Sequence, residues 1–204
     1  MTGALAAAAA LAGCASSPPP RFYTLMPPAQ AAAPAAAAGA DYAFEVVPVN
    51  LPLQVDQPQI MLRTADDALT PLYSERWAAP LGDELQSALS YTLSRELGVP
   101  DVSGVGAPGN IRVWRVQVDV QRLDMLLGGP ALLEATWRVR DTAERGAALL
   151  CRTRVSVPVQ GEDVSTLVQA HQQAVARLGA TIAAAIGAGA RKPPAGSDEV
   201  QILG

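Results

Sequence analysis

The chain has 204 residues and a formal charge of −4, with a pI near 5.0. It carries no block of basic residues, which argues against nucleic acid as a partner and against binding to anionic lipid by charge alone. Half the residues are hydrophobic, inflated by alanine, and only 4% are aromatic, so the length beyond the front end amounts to one domain.

The first element is a leader. Residues 1–13 (MTGALAAAAALAG) are apolar and uncharged, and Leu11-Ala12-Gly13-Cys14 fits a bacterial lipoprotein cleavage motif. Small side chains before the cut admit the peptidase. The Cys14 thiol takes diacylglycerol, and its freed amine takes a further acyl chain such as palmitate. Each buried methylene contributes about 0.8 kcal/mol, so several chains hold where one does not. The run is too short for a membrane-spanning helix, which needs about 20 apolar residues. No Lys or Arg precedes Cys14, which points to a translation start upstream of Met1. Residues 14–20 read as a lipidated Pro/Ser tether. Ala15 after the cysteine, rather than Asp, favours the outer membrane by the sorting convention of enteric bacteria.

A single domain is expected over 21–187. Arg21 to Leu25 is a strand candidate, and residues 26–40 form a flexible Ala/Pro insert. A second strand is expected over 42–49. Residues 51–58 read as loop, because prolines cannot donate to a ladder. Residues 60–64 and 69–73 form a hairpin around Ala65-Asp66-Asp67-Ala68. Trp77, Leu81, Leu85, Leu89, Leu93 and Leu97 recur every fourth residue, which predicts an amphipathic helix over 77–97. Pro80 is tolerated in its first turn, and Gly98 and Pro100 stop it.

Period-two alternation follows. Trp114, Val116, Val118 and Val120 alternate with Arg115, Gln117, Asp119 and Gln121, and two further runs, 133–140 and 149–157, behave alike. They read as a three-stranded antiparallel meander with one polar face. That face gathers Arg115, Arg138, Arg140, Arg152 and Arg154 among Asp119, Asp124 and Glu134, and a solvated mixed-charge surface is favoured over a binding site. A last helix is expected over 164–186, capped by Glu162 or Asp163. The tail 188–204 is Gly/Pro-rich and is expected to be disordered. The sum is an α/β layered sandwich: a mixed, mainly antiparallel sheet with two long amphipathic helices.

The search for chemistry finds little. With Cys14 acylated, Cys151 has no disulfide partner and is expected to be a buried thiol. His171, the single histidine, lies beside the apolar stripe of the last helix and reads as half-buried and satisfied. No zinc-ligand spacing and no Gly-x-Ser-x-Gly elbow occur. The glycine-rich run 104–109 leads into a strand rather than a helix, so it is a loop and no phosphate cradle. Asp66-Asp67 has no EF-hand spacing. The expectation is a binding or assembly module, not an enzyme, with no cofactor beyond the covalent lipid.

One ordered set of segments carries a resemblance. The lipobox is followed by Phe22-Tyr23-Thr24-Leu25, then Pro48-Val49-x-Leu51-Pro52, Val55-Asp56-Gln57-Pro58-Gln59-Ile60, and Glu75-Arg76-Trp77-Ala78-Ala79-Pro80-Leu81 before the leucine-striped helix. Over most of the mature chain this resembles the auxiliary lipoproteins of ABC-type transport that include the PqiC type. The uncharged leader and the long insert depart from that pattern. The resemblance implies an α/β sandwich on a periplasm-facing outer-membrane lipoprotein. It implies a docking role in MCE-type lipid transport that maintains envelope integrity. The partners would be an MCE-domain protein and an inner-membrane transporter or Pqi-type membrane protein, with bound phospholipid and homo-oligomers left open. The alternative is a structural envelope lipoprotein with no part in lipid transport. Trp77, Pro80 and Leu81, beside the 51–58 loop, are the candidate partner surface, against the plainer reading of Trp77 as a core plug.

Overall fold

The computed structural model describes residues 19–28, 41–107, 109, 111–144, 148–159, 161, 163–190 and 198–203. Leu11, Ala12, Gly13 and Cys14, Glu162 and most of the insert lie outside the described residues.

The elements in chain order are β1 (Arg21–Tyr23), β2 (Tyr42–Val46), β3 (Gln59–Arg63), β4 (Leu69–Trp77) and α1 (Leu81–Leu97), then β5 (Arg112–Asp124), β6 (Ala131–Asp141), β7 (Ala148–Val157), α2 (Val164–Gly187) and β8 (Glu199–Ile202). They form a layered α/β sandwich, as expected, with the strands divided between two sheets. The larger sheet has the order β2-β5-β6-β7-β8 and the smaller β1-β4-β3. The meander β5-β6-β7 is antiparallel, while β2 joins β5 and β1 joins β4 in parallel.

The meander forms because alternation gives it one dry face. Val116, Val118, Leu133, Ala135, Trp137, Val139, Cys151 and Val155 are all essentially buried. The Trp137 indole has its N–H satisfied by Thr153 Oγ1 at 2.8 Å, the partner a buried tryptophan requires. Cys151 is buried and free, and burial raises its thiol pKa. An irregularity between Val120 and Arg122 adds a residue to β5. It returns Leu123 and Met125 to the core, as a bulge does when it resets which side chains face inward.

The two helices pack on this dry face. Leu81, Leu85, Leu89 and Leu93 of α1 and Leu167, Leu178 and Ile182 of α2 share one apolar cluster with the sheet. Gly98, at φ 67°, ends α1 in the left-handed conformation and donates its N–H to Ser94, as glycine does at helix ends. At the start of α2 the Asp163 side chain makes no capping bond. Its carbonyl instead accepts the Thr166 hydroxyl at 2.7 Å. The small sheet closes the end of the core with Ile60, Leu62 and Trp77. It is tied to the large one where the Arg63 guanidinium meets the buried Asp124 at 2.9 Å.

Two expectations are corrected. Helix α1 starts at Leu81, not at Trp77, because Trp77 is still strand: it pairs with Tyr23 of β1. The tail is not wholly irregular. Glu199–Ile202 forms β8 along the edge of β7, with Arg177 of α2 holding Asp198 at 3.4 Å. An open strand edge offers unpaired N–H and C=O groups to any extended segment in reach.

Candidate functional site

The residues singled out by sequence meet at the turn between β4 and α1. The Trp77 N–H donates to the Pro58 carbonyl at 2.9 Å, and the Ala78 N–H to the Tyr23 carbonyl at 2.7 Å. Pro80 is the residue before the helix. Its carbonyl accepts from the Asp83 and Glu84 amides, so the proline fixes the chain where a missing N–H costs nothing. Residues 56–58 and 77–81 together line a mostly apolar groove of about 380 Å³.

The three predicted partner residues divide here. Trp77 and Leu81 are 4% and 1% exposed and belong to the core, in line with the plainer reading of Trp77 as a core plug. Pro80 is exposed, together with Ala78 and Ala79. The groove's accessible rim is therefore Asp56, Gln57 and Pro58 with Ala78–Pro80, while Trp77 and Leu81 line it from the core.

The corner is held by a carboxylate that sequence reasoning missed. Glu84, buried in the first turn of α1, accepts the Thr24 hydroxyl at 2.6 Å and the Leu25 amide at 2.8 Å. From α2, the Gln172 amide donates to the Thr24 and Met26 carbonyls. The Thr24–Met26 segment is thus clamped between both helices, with Leu25 fully buried. The one signal in sequence is a carboxylate three residues after Leu81, beside the apolar stripe.

A second buried carboxylate, Glu75, accepts from Arg21 Nε at 2.9 Å. Burial alone would raise its pKa, but the Arg21 guanidinium and the Tyr23 hydroxyl outweigh that and hold it below the usual range. The Tyr23 phenol is pushed up in turn, by burial first and by Glu75 second.

The outer face of the large sheet carries the mixed charge foreseen. Arg152 pairs with Glu134 and Arg115 with Glu45, and Arg122 meets Asp124 at 2.6 Å. Asp124 itself is buried beneath Arg63 and Arg122 rather than exposed. His171 is fully buried, not half-buried. Its Nδ1 lies 2.9 Å from the Leu167 carbonyl, but Nε2 has no hydrogen-bond partner among the described residues. Burial lowers its pKa, offset in part by the Leu167 carbonyl and by nearby Asp124. Among the described residues no group of three His, Cys, Asp or Glu is placed to hold a metal ion. No described helix is long and apolar enough to cross a membrane.

These features define an α/β sandwich with an open, mostly apolar groove at one corner. The family model for the ABC-type transport auxiliary lipoprotein component matches residues 23–183, and the chain belongs to that family. The family is one of lipoproteins that serve transport, which puts the chain in the cell envelope, anchored to a membrane, with membrane-transport partners. No curated protein matches the chain. Among solved structures it is similar to an uncharacterized protein at 19% identity and a TM-score of 0.66, covering 83% of this chain and 99% of that one. It is also similar to a Xanthomonas campestris protein of family DUF330, at 16% identity and a TM-score of 0.58, covering 85% and 96%. Both likenesses concern the fold.

Proposed function

We propose that this chain is a non-enzymatic accessory lipoprotein of an MCE-type intermembrane lipid transport system. It is held in the outer membrane by lipid on Cys14, faces the periplasm and docks an MCE-domain partner. That partner belongs with an inner-membrane transporter or a Pqi-type membrane protein. What carries this reading is the groove between residues 56–58 and 78–81 on a chain of the transport-auxiliary family. A groove rimmed by Pro58 and Ala78–Pro80, with Asp56 and Gln57 beside them and a buried tryptophan in its lining, suits an apolar side chain from a partner, since interfaces concentrate binding in a few such anchors. The only histidine and the second cysteine are both buried, which favours binding over catalysis.

The test is photo-crosslinking from position 80 in the lipidated protein in intact cells. Capture of an MCE-domain protein, lost when the groove is filled by Ala79→Trp, supports docking. Crosslinks confined to peptidoglycan-associated proteins, with normal lipid distribution in a deletion strain, would favour a structural envelope lipoprotein instead.

A further inference from the structure

We infer that the corner of the small sheet bearing Phe22, Tyr73 and Arg76 rests on the bilayer that holds the lipid anchor. This rests on the Cys14 anchor proposed above and adds the domain's orientation to it.

The chain has two phenylalanines, and they are treated in opposite ways. Phe44 is fully buried, whereas Phe22 is 62% exposed. Tyr73 is 74% exposed. They share one corner: Phe22 pairs in register with Arg76, and Arg76 Nε donates to the Tyr73 carbonyl at 3.4 Å. Arg21, which also projects into solvent while pairing with Glu75, is adjacent. Single exposed apolar residues are ordinary. Two aromatics flanked by two arginines match what the membrane interface selects: rings at headgroup level, with guanidinium groups reaching the phosphates.

Tether length gives the second argument. Seven peptide steps separate Cys14 from Arg21, at most about 25 Å when fully extended. A domain of this size has a radius of gyration of about 15 Å and so a width near 40 Å. The tether is shorter than the domain is wide, so the surface where the chain enters faces the leaflet. Phe22 is the second residue of the first strand there. Tethering also raises the local concentration of bilayer, so a contact too weak to hold a free domain suffices. Strands β1 and β4 run in parallel from Arg21 and Glu75 to Tyr23 and Trp77.

The experiment uses the full lipidated chain in phosphatidylethanolamine and phosphatidylglycerol vesicles containing nitroxide lipids. An environment-sensitive fluorophore is attached in turn at Phe22→Cys, Tyr73→Cys and, as a solvent control, Val105→Cys. Intact mass establishes acylation of Cys14 in each preparation. Labels at 22 and 73 are expected to lose most of their emission to the nitroxide lipids, while the label at 105 keeps its own. Acylated, vesicle-bound protein with no greater quenching at 22 and 73 than at 105 overturns this inference and leaves the anchor standing. An unacylated Cys14 overturns both. Shielding of positions 22 and 73 in detergent that grows with protein concentration would overturn it in favour of contact between copies.

Discussion

Thr92 of α1 lies so close to Gly179 of α2 that a Cβ at position 179 would sit 2.7 Å from Thr92 Cγ2. The two helices meet backbone to side chain at this point. The Thr92 methyl is held in place because its hydroxyl donates to the Ala88 carbonyl at 2.9 Å. Alanine is the better helix former, yet the contact forbids it. Gly179→Ala is expected to destabilise the domain by about 1–3 kcal/mol, the usual range for overpacking. Thr92→Ala on the same background should restore most of the loss. Urea unfolding of the four proteins in this double-mutant cycle checks the coupling, and additive effects would deny that the two residues touch.

Glu84 makes a different kind of contact, between a helix and a segment about 60 residues earlier. Glu84→Ala leaves the Leu25 amide without its acceptor inside the core. Hydrogen bonds to a charged group contribute about 1.5–3 kcal/mol, and a loss in that range is expected in urea unfolding. The Leu25 amide should also exchange its hydrogen much faster, while amides of β6 do not.

The meander, the hairpin and both helices were legible because their signal is local. Valine at positions 116, 118 and 120 of β5 and leucine at every fourth of α1 state which face is dry without reference to the rest of the chain. What was hidden depends on partners far away. The leucine stripe extrapolates back through Trp77, but pairing with Tyr23 keeps that residue in β4. Strand β8 is four residues long behind a Gly/Pro-rich stretch, and only the open edge of β7 makes it a strand. Likewise Glu84 reads as an ordinary first-turn carboxylate until Thr24 and Leu25 are seen against it. The groove was legible only in part: its residues were named, but burial assigns Trp77 and Leu81 to the core and leaves Pro80 on the rim.

His171 predicts a pH dependence. Its folded pKa is lowered, by burial first, so as pH falls the unfolded chain takes up the proton before the folded one. Its stability contribution is therefore complete above the unfolded value of about 6.5 and declines below it, by up to about 1.4 kcal/mol per pH unit. The decline continues until the folded imidazole itself protonates. His171→Leu removes the titration, and should flatten the part of the stability profile between about pH 6.5 and 5. A melting-temperature series across that range decides it. An unchanged slope in the variant would place the acid sensitivity elsewhere.

The turn at β4–α1 allows folding and docking to be separated by two substitutions three residues apart. Trp77 is core, and its backbone N–H donates to the Pro58 carbonyl across the groove's lining. Trp77→Ala should cost about 3–5 kcal/mol, as removal of a large buried aromatic does, and any loss of partner capture would follow from unfolding. Pro80 is exposed, and its backbone role is to accept from the Asp83 and Glu84 amides. Serine at this position keeps that carbonyl and is favoured before a helix, so Pro80→Ser should leave the melting temperature within a few degrees. If the groove binds a partner, Pro80→Ser removes part of its apolar rim and weakens capture in a folded protein. Full capture by Pro80→Ser, together with full capture by the groove-filling Ala79→Trp, would move the docking surface away from this corner and leave Trp77 with a purely structural role.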